Sequence, residues 1–120
     1  MLLIALLLTA AAPVQTQAAT NRTAGSSYAA VDAAMTAQWK RTYAYMKGRD
    51  AQDTSRGGGF GYAAALLESQ RAWLKFRDTE CVIEGAQYLG GSQQGPTTAG
   101  CRIDLTRARI AQLKGMIWYQ

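Results

Sequence analysis

Gln70-Arg71-Ala72-Trp73-Leu74-Lys75-Phe76-Arg77-Asp78-Thr79-Glu80-Cys81 is the stretch whose reading decides the fold. At about 100° per residue, Leu66, Leu67, Trp73, Leu74 and Cys81 share one face, which predicts an amphipathic helix from about Tyr62 to Gly85 or a little beyond. Polar residues interrupt that face: Gln70 and Arg77 fall in its middle, with Glu84 nearby. A buried guanidinium without a partner is costly. Two arrangements satisfy it. In one, Arg77 is tied inside the bundle to a carboxylate or a backbone carbonyl, with Asp32, Asp78 and Asp104 as candidates. In the other, the Arg stem covers the edge of the core and its head reaches water.

Upstream, Tyr28, Val31, Met35, Trp39, Thr42 and Met46 recur at helical spacing, with Tyr43 at the edge of the stripe and Asp32 beside it. They predict a first helix from about Tyr28 to Arg49. Gln52 to Gly61 breaks it as a flexible connection. Its run Gly57-Gly58-Gly59-Phe60-Gly61 lacks the Gly-Lys-Ser/Thr ending of a phosphate loop, and no strand precedes it. Downstream, Gly90 to Gly100 contains four glycines, one proline and no charge, which reads as a loop of about ten residues. A third helix is expected from about Cys101 to Met116, with Leu105, Ile110, Leu113, Met116 and Ile117 on a broad face and Thr97 or Thr98 as its cap. Arg102 and Arg109 fall within that face and raise the same question as Arg77. No stretch alternates at period two. The expected fold is all-α, a small bundle of about three helices.

The N-terminus carries an address. Leu2 to Ala12 is apolar, about as long as a signal-peptide core and too short to span a bilayer. Thr16 and Ala18 suit a cut after Ala18, and a cut after Ala19 is nearly as good. This divides the chain into a signal peptide over residues 1–19, a polar linker over 20–27 and one helical domain over 28–120. The expected location is periplasmic or secreted, with no transmembrane segment in the mature form. In an exported chain the isolated pair Cys81 and Cys101 forms one disulfide between the second and third helices; two reduced, buried thiols are the alternative. The net charge of +5 favours an acidic partner. Nucleic acid is the intracellular version of that inference, and export argues against it.

Catalytic groups are scarce. The chain has no histidine, which removes the commonest general base and His-based zinc sites. No cofactor is expected. Asp50/Asp53 and Glu80/Glu84 have helical spacing and could pair as in glycosidases, but solvated helix faces explain them as well.

The segment from Gln70 to Cys81 is followed by Gly90-Gly91-Ser92, Cys101, Leu105-Thr106-Arg107-Ala108-Arg109 and Leu113. Together with Asp32-Ala33-Ala34-Met35-Thr36-Ala37-Gln38-Trp39, this closely resembles the LprI-like lysozyme-inhibitor family of bacterial envelope proteins. The resemblance implies a secreted or periplasmic helical domain with the two cysteines bridged. It marks Asp32, Gln70, Trp73, Arg77, Asp78, Thr106 and Arg109 as the structural motif. It also implies inhibition of lysozyme or another wall-cleaving enzyme by protein contact. The expected contact surface is the loop bearing Gly90, Gly91, Ser92, Gln93 and Gln94, helped by Tyr88. A lysozyme cleft holds two carboxylates, which a loop presenting donors could fill, although a basic lysozyme would meet a chain of +5 against long-range repulsion. The alternative is a cell-envelope module that binds anionic polymer or lipid through Lys40, Arg41, Lys47, Arg102, Arg107 and Lys114.

Overall fold

The computed structural model describes residues 11–55 and 57–118. Residues 1–10, most of the expected signal-peptide core, lie outside them. Three helices form the bundle: α1 (Gln17–Gln52), α2 (Tyr62–Ala86) and α3 (Gln94–Gly115). No strand occurs among the described residues, so the chain is all-α as expected.

Two boundaries differ from the sequence reading. Helix α1 starts at Gln17, so Asn21 to Ser27, expected as a linker, is helical. The Thr16 hydroxyl caps it by accepting from the Ala19 N–H at 3.1 Å. The extra turns dock on the start of α3: Gln17 Nε2 donates to the Ser92 carbonyl at 2.8 Å. A cut after Ala18 or Ala19 would fall in the first turn of this helix. Helix α3, in turn, starts at Gln94 rather than Cys101, which shortens the expected loop to residues 87–93. Pro96 sits in its first turn, where a missing N–H leaves no helical bond unmade. Thr97 and Thr98 are therefore inside the helix, and Gln93 takes the cap position without a side-chain bond.

The α1–α2 connection is organised by carboxylates. Asp50 accepts from the N–H groups of Tyr62 at 2.7 Å and Ala63 at 2.9 Å, and so caps α2 from the end of α1. Asp53 accepts from the Ser55 hydroxyl at 2.6 Å and from the Ser55 and Phe60 N–H groups at 3.0 and 3.1 Å. The Ser55 hydroxyl first, then the two amides, hold the Asp53 carboxyl below its ordinary pKa. These bonds account for the Asp50/Asp53 pair as turn-building groups.

The apolar core consists of Met35, Met46, Ala63, Leu66 and Leu113, with Trp39, Tyr43, Trp73 and Ile110 packed around it. Most of it lies toward the α1–α2 connection. At the other end, Cys81 and Cys101 are bridged with their Cα atoms 5.4 Å apart, joining α2 to α3. Gly85 allows the same two helices to approach: a methyl group there would collide with the Thr98 hydroxyl and lie 3.1 Å from the Gln94 carbonyl.

Candidate functional site

The middle of the bundle is polar. Arg77 projects from α2 and is only 4% exposed. It donates from Nη1 to Asp32 on α1 at 2.7 Å and from Nε to Asp78 at 3.0 Å, with the Thr106 hydroxyl of α3 at 3.4 Å. Burial works against its charge, but the bonds to Asp32 and Asp78 outweigh it and hold the guanidinium pKa above the ordinary value. Of the three expected carboxylates, Asp32 and Asp78 pair with Arg77, whereas Asp104 is exposed.

Arg109 occupies the next layer and is 5% exposed. Its partners correct the expectation of a carboxylate or backbone carbonyl. Nε donates to Gln70 at 2.9 Å, Nη2 to Ser69 at 3.1 Å and Nη1 to Gln112 at 3.2 Å, all neutral side chains. With no anion to compensate, burial lowers its pKa. Trp73 lies between the two cations, its ring centre 5.2 Å from the Arg77 guanidinium and 5.8 Å from that of Arg109. The motif residues Asp32, Gln70, Trp73, Arg77, Asp78, Thr106 and Arg109 are thus one interior network across three helices. Sequence reasoning missed Ser69 and Gln112. Their signal was position alone: Gln112 is three residues from Arg109, on the same helical flank.

Gln38 and Thr42 are also buried: Gln38 Nε2 donates to the Thr42 hydroxyl at 3.2 Å, which donates in turn to the Leu113 carbonyl at 2.9 Å. Asp32, Gln70 and Arg77 border a cleft of about 300 Å³ that Met35, Trp39 and Leu74 also line. Glu80 and Glu84 lie on the surface of α2, and Glu84 bonds the nearby Gln87 side chain.

The α2–α3 loop is an exposed surface feature. Tyr88 and Leu89 are 48% and 77% exposed. Gly90 takes a positive φ of 78°, and its N–H donates to the Gln94 side chain at 2.9 Å. Gln94 thereby closes the loop, while Gly91, Ser92 and Gln93 stay exposed. Beside the loop, the overhanging first turns of α1 form a groove of about 590 Å³ with Gln17, Asn21, Tyr28, Ser92 and Arg102 among its lining.

A family model described as Lysozyme inhibitor LprI matches residues 9–113. The chain belongs to the LprI family. It is also 33% identical over 98 residues to an uncharacterized protein of Rhizobium meliloti (strain 1021), a match covering 81% of this chain and 70% of that protein. No solved structure matches it. The interior network places Asp32, Gln70, Trp73, Arg77, Asp78, Thr106 and Arg109 in the frame that holds the loop, whereas Gly90, Gly91 and Ser92 of the same resemblance lie in the loop itself.

Charge divides this LprI-family chain along its length. Past the Arg77 layer toward the loop, Asp78, Glu80, Glu84 and Asp104 stand against Arg22 and Arg102. On the other side of Trp73 the acidic groups are Asp50, Asp53 and Glu68, two of them bound to backbone amides. Lys40, Arg41, Lys47, Arg49, Arg107 and Lys114 outnumber them there. The basic face expected from sequence therefore omits Arg102, which lies near the loop, 3.8 Å from Asp78. Among the described residues, no helix is long and apolar enough to cross a membrane.

Proposed function

We propose that this chain is an exported inhibitor of lysozyme that acts by contact and not by catalysis, with the α2–α3 loop as its contact surface. The observation that carries the reading is the local acidity of the loop end within a chain of +5. A basic lysozyme approaching this end meets Glu80, Glu84 and Asp104, so the long-range repulsion set by the net charge reverses locally. The uncharged tip then offers the Ser92 and Gln93 backbone N–H groups and small side chains to a cleft lined by carboxylates, while the Gly90 and Gly91 N–H groups brace the loop from within through the Gln94 side chain and the Tyr88 carbonyl. Tyr88 and Leu89 supply the apolar anchors at its edge. The Cys81–Cys101 bridge and the Gln94 clamp hold the loop in one shape, which lowers the entropic cost of binding.

The test is lysis of bacterial cell walls by a basic animal-type lysozyme, followed by turbidity, with and without the purified chain. Slowing at micromolar concentration is expected. Tyr88→Ser with Leu89→Ser should abolish it, and Glu84→Lys with Asp104→Lys should slow association most at low salt. Unchanged lysis at a large excess of the wild-type chain counts against the reading.

A further inference from the structure

The end of the bundle opposite the loop has its own surface chemistry. Phe60 and Trp118 are 70% and 52% exposed, side by side with Tyr62. The Phe60 ring centre is 4.7 Å from that of Tyr62, and Tyr62 meets Trp118 edge-on at 6.1 Å. Arg49 is held between the last two, its guanidinium 5.2 Å from each ring. Between these rings and Met46, Leu66 and Met116 opens an apolar cleft of about 370 Å³. Large apolar groups left this exposed at the end of a small domain mark an interaction site.

We infer that this aromatic end docks on the surface of an anionic lipid bilayer. The occupant follows from three features that coincide. Tryptophan and tyrosine rings with polar edges settle at the boundary between acyl chains and head groups. The same end carries Lys47, Arg49 and Lys114. Arg49 and Lys114 stand on the last turns of α1 and α3, and Lys47 lies one turn earlier on α1, over the Tyr43 ring. Asp50 and Asp53, bonded to neutral backbone amides, offset two of these three cations, so the end keeps a surplus of one positive charge. A soluble anionic polymer would use the cations but leave Phe60 and Trp118 in water. A bilayer uses both sets at once. Phe60 is presented by the turn that Asp53 braces, so the aromatic end needs no refolding to insert its rings. Docking at this end points the acidic loop away from the bilayer, toward approaching proteins. The inference stands apart from the lysozyme reading, because it uses the opposite end of the molecule.

The experiment is sedimentation of the full chain with vesicles of phosphatidylcholine alone, and of phosphatidylcholine with about 30 mol % phosphatidylglycerol. Partition into the anionic vesicles only is expected, weakening as salt rises. Phe60→Ser with Trp118→Ser, and separately Lys47→Glu with Lys114→Glu, should each reduce partition about tenfold or more. Phe60→Ser alone, a change at an exposed turn, should give an intermediate loss and guards against misfolding of the double variant. Tyr88→Ser with Leu89→Ser should leave partition unchanged while removing lysozyme inhibition. No partition overturns the inference. So does partition that survives loss of both rings, which would make the contact one of charge alone, and so does partition that is lost with the loop residues.

Discussion

The two halves of the bundle on either side of Trp73 are held together by different physics. The half toward the α1–α2 connection is built on Met46, Ala63, Leu66 and Leu113, and its one buried cation, Arg109, is satisfied by neutral groups. The half toward the loop has little apolar core. It relies on a disulfide, the Arg77 ion pairs to Asp32 and Asp78, and the close approach at Gly85. The difference teaches where stability and function are separated. Apolar packing sets the free energy of the whole bundle, while the loop half uses covalent and polar ties to fix the shape of a surface that has little core beneath it.

The largest effect should come from the apolar half. Leu113 is fully buried, and its carbonyl also accepts the Thr42 bond. Leu113→Ala should cost about 4 kcal/mol, measured by urea unfolding. Helices of both halves should melt together, since α1 and α3 run through both. A loop half that keeps its helicity after the core has melted would mean that the disulfide and ion pairs suffice on their own.

Next is the bridge. Replacing Cys81 and Cys101 by alanine should cost about 3 kcal/mol, from the loop closed over the intervening 20-residue separation. Hydrogen exchange should locate the loss. Amides of the last turns of α2 and the first turns of α3 should exchange faster, while those around Leu66 and Met46 keep most of their relative protection. Uniform loss throughout the chain would remove the distinction between the halves.

The two buried guanidiniums give the sharpest contrast. Asp32→Ala leaves Arg77 buried with Asp78 alone. Because Asp32 is 39% exposed and Asp78 52%, water screens part of the pair, and the cost should be about 1.5 kcal/mol. Arg109 has no counter-charge to strand. Arg109→Met combined with Gln70→Leu removes a desolvated cation together with the buried acceptor it would otherwise strand, so the change should fall within about 1 kcal/mol of neutral. Equal losses in the two variants would show that charge pairing does not separate the two layers.

Much of this arrangement was legible in the sequence. Gln70, Arg77 and Arg109 fall at helical positions otherwise occupied by apolar residues, and such positions are buried whatever their chemistry. Which partners they find was readable only for Arg77, where an aspartate follows directly in the chain. Arg109 is satisfied by Gln70, whose place on the apolar face marks it as buried but not as a partner, and by Ser69 and Gln112, residue types that occur on any solvated face. The first turns of α1 and α3 were misread for a related reason. Asn21 to Ser27 and Gln94 to Gly100 lack an apolar stripe, and Gly95-Pro96 has the composition of a turn. The α1 extension is tied to the loop that leads into α3 through Gln17 and the Ser92 carbonyl, a tertiary effect that local pattern does not carry.

The smallest expected effect concerns Asp53, and it links the apolar half to its exposed rings. The Ser55 hydroxyl and the Ser55 and Phe60 amides depress its folded pKa. A carboxyl with a depressed folded pKa stabilises the fold fully above its unfolded value, near 3.9, and the contribution is lost as pH falls through the folded value. The turn bearing Phe60 should therefore hold its shape from neutral pH down to about 4 and loosen only in stronger acid. The Phe60 amide resonance, followed by NMR as pH is lowered, should move with the titration of Asp53. In Asp53→Asn that acid-dependent movement should vanish, because the amide side chain has no proton to gain in this range. The same variant should leave the loop half unchanged, since no contact of Asp53 reaches it. Movement of the Tyr88 or Ser92 amides on the same titration curve would instead couple the two ends of the bundle through the interior network.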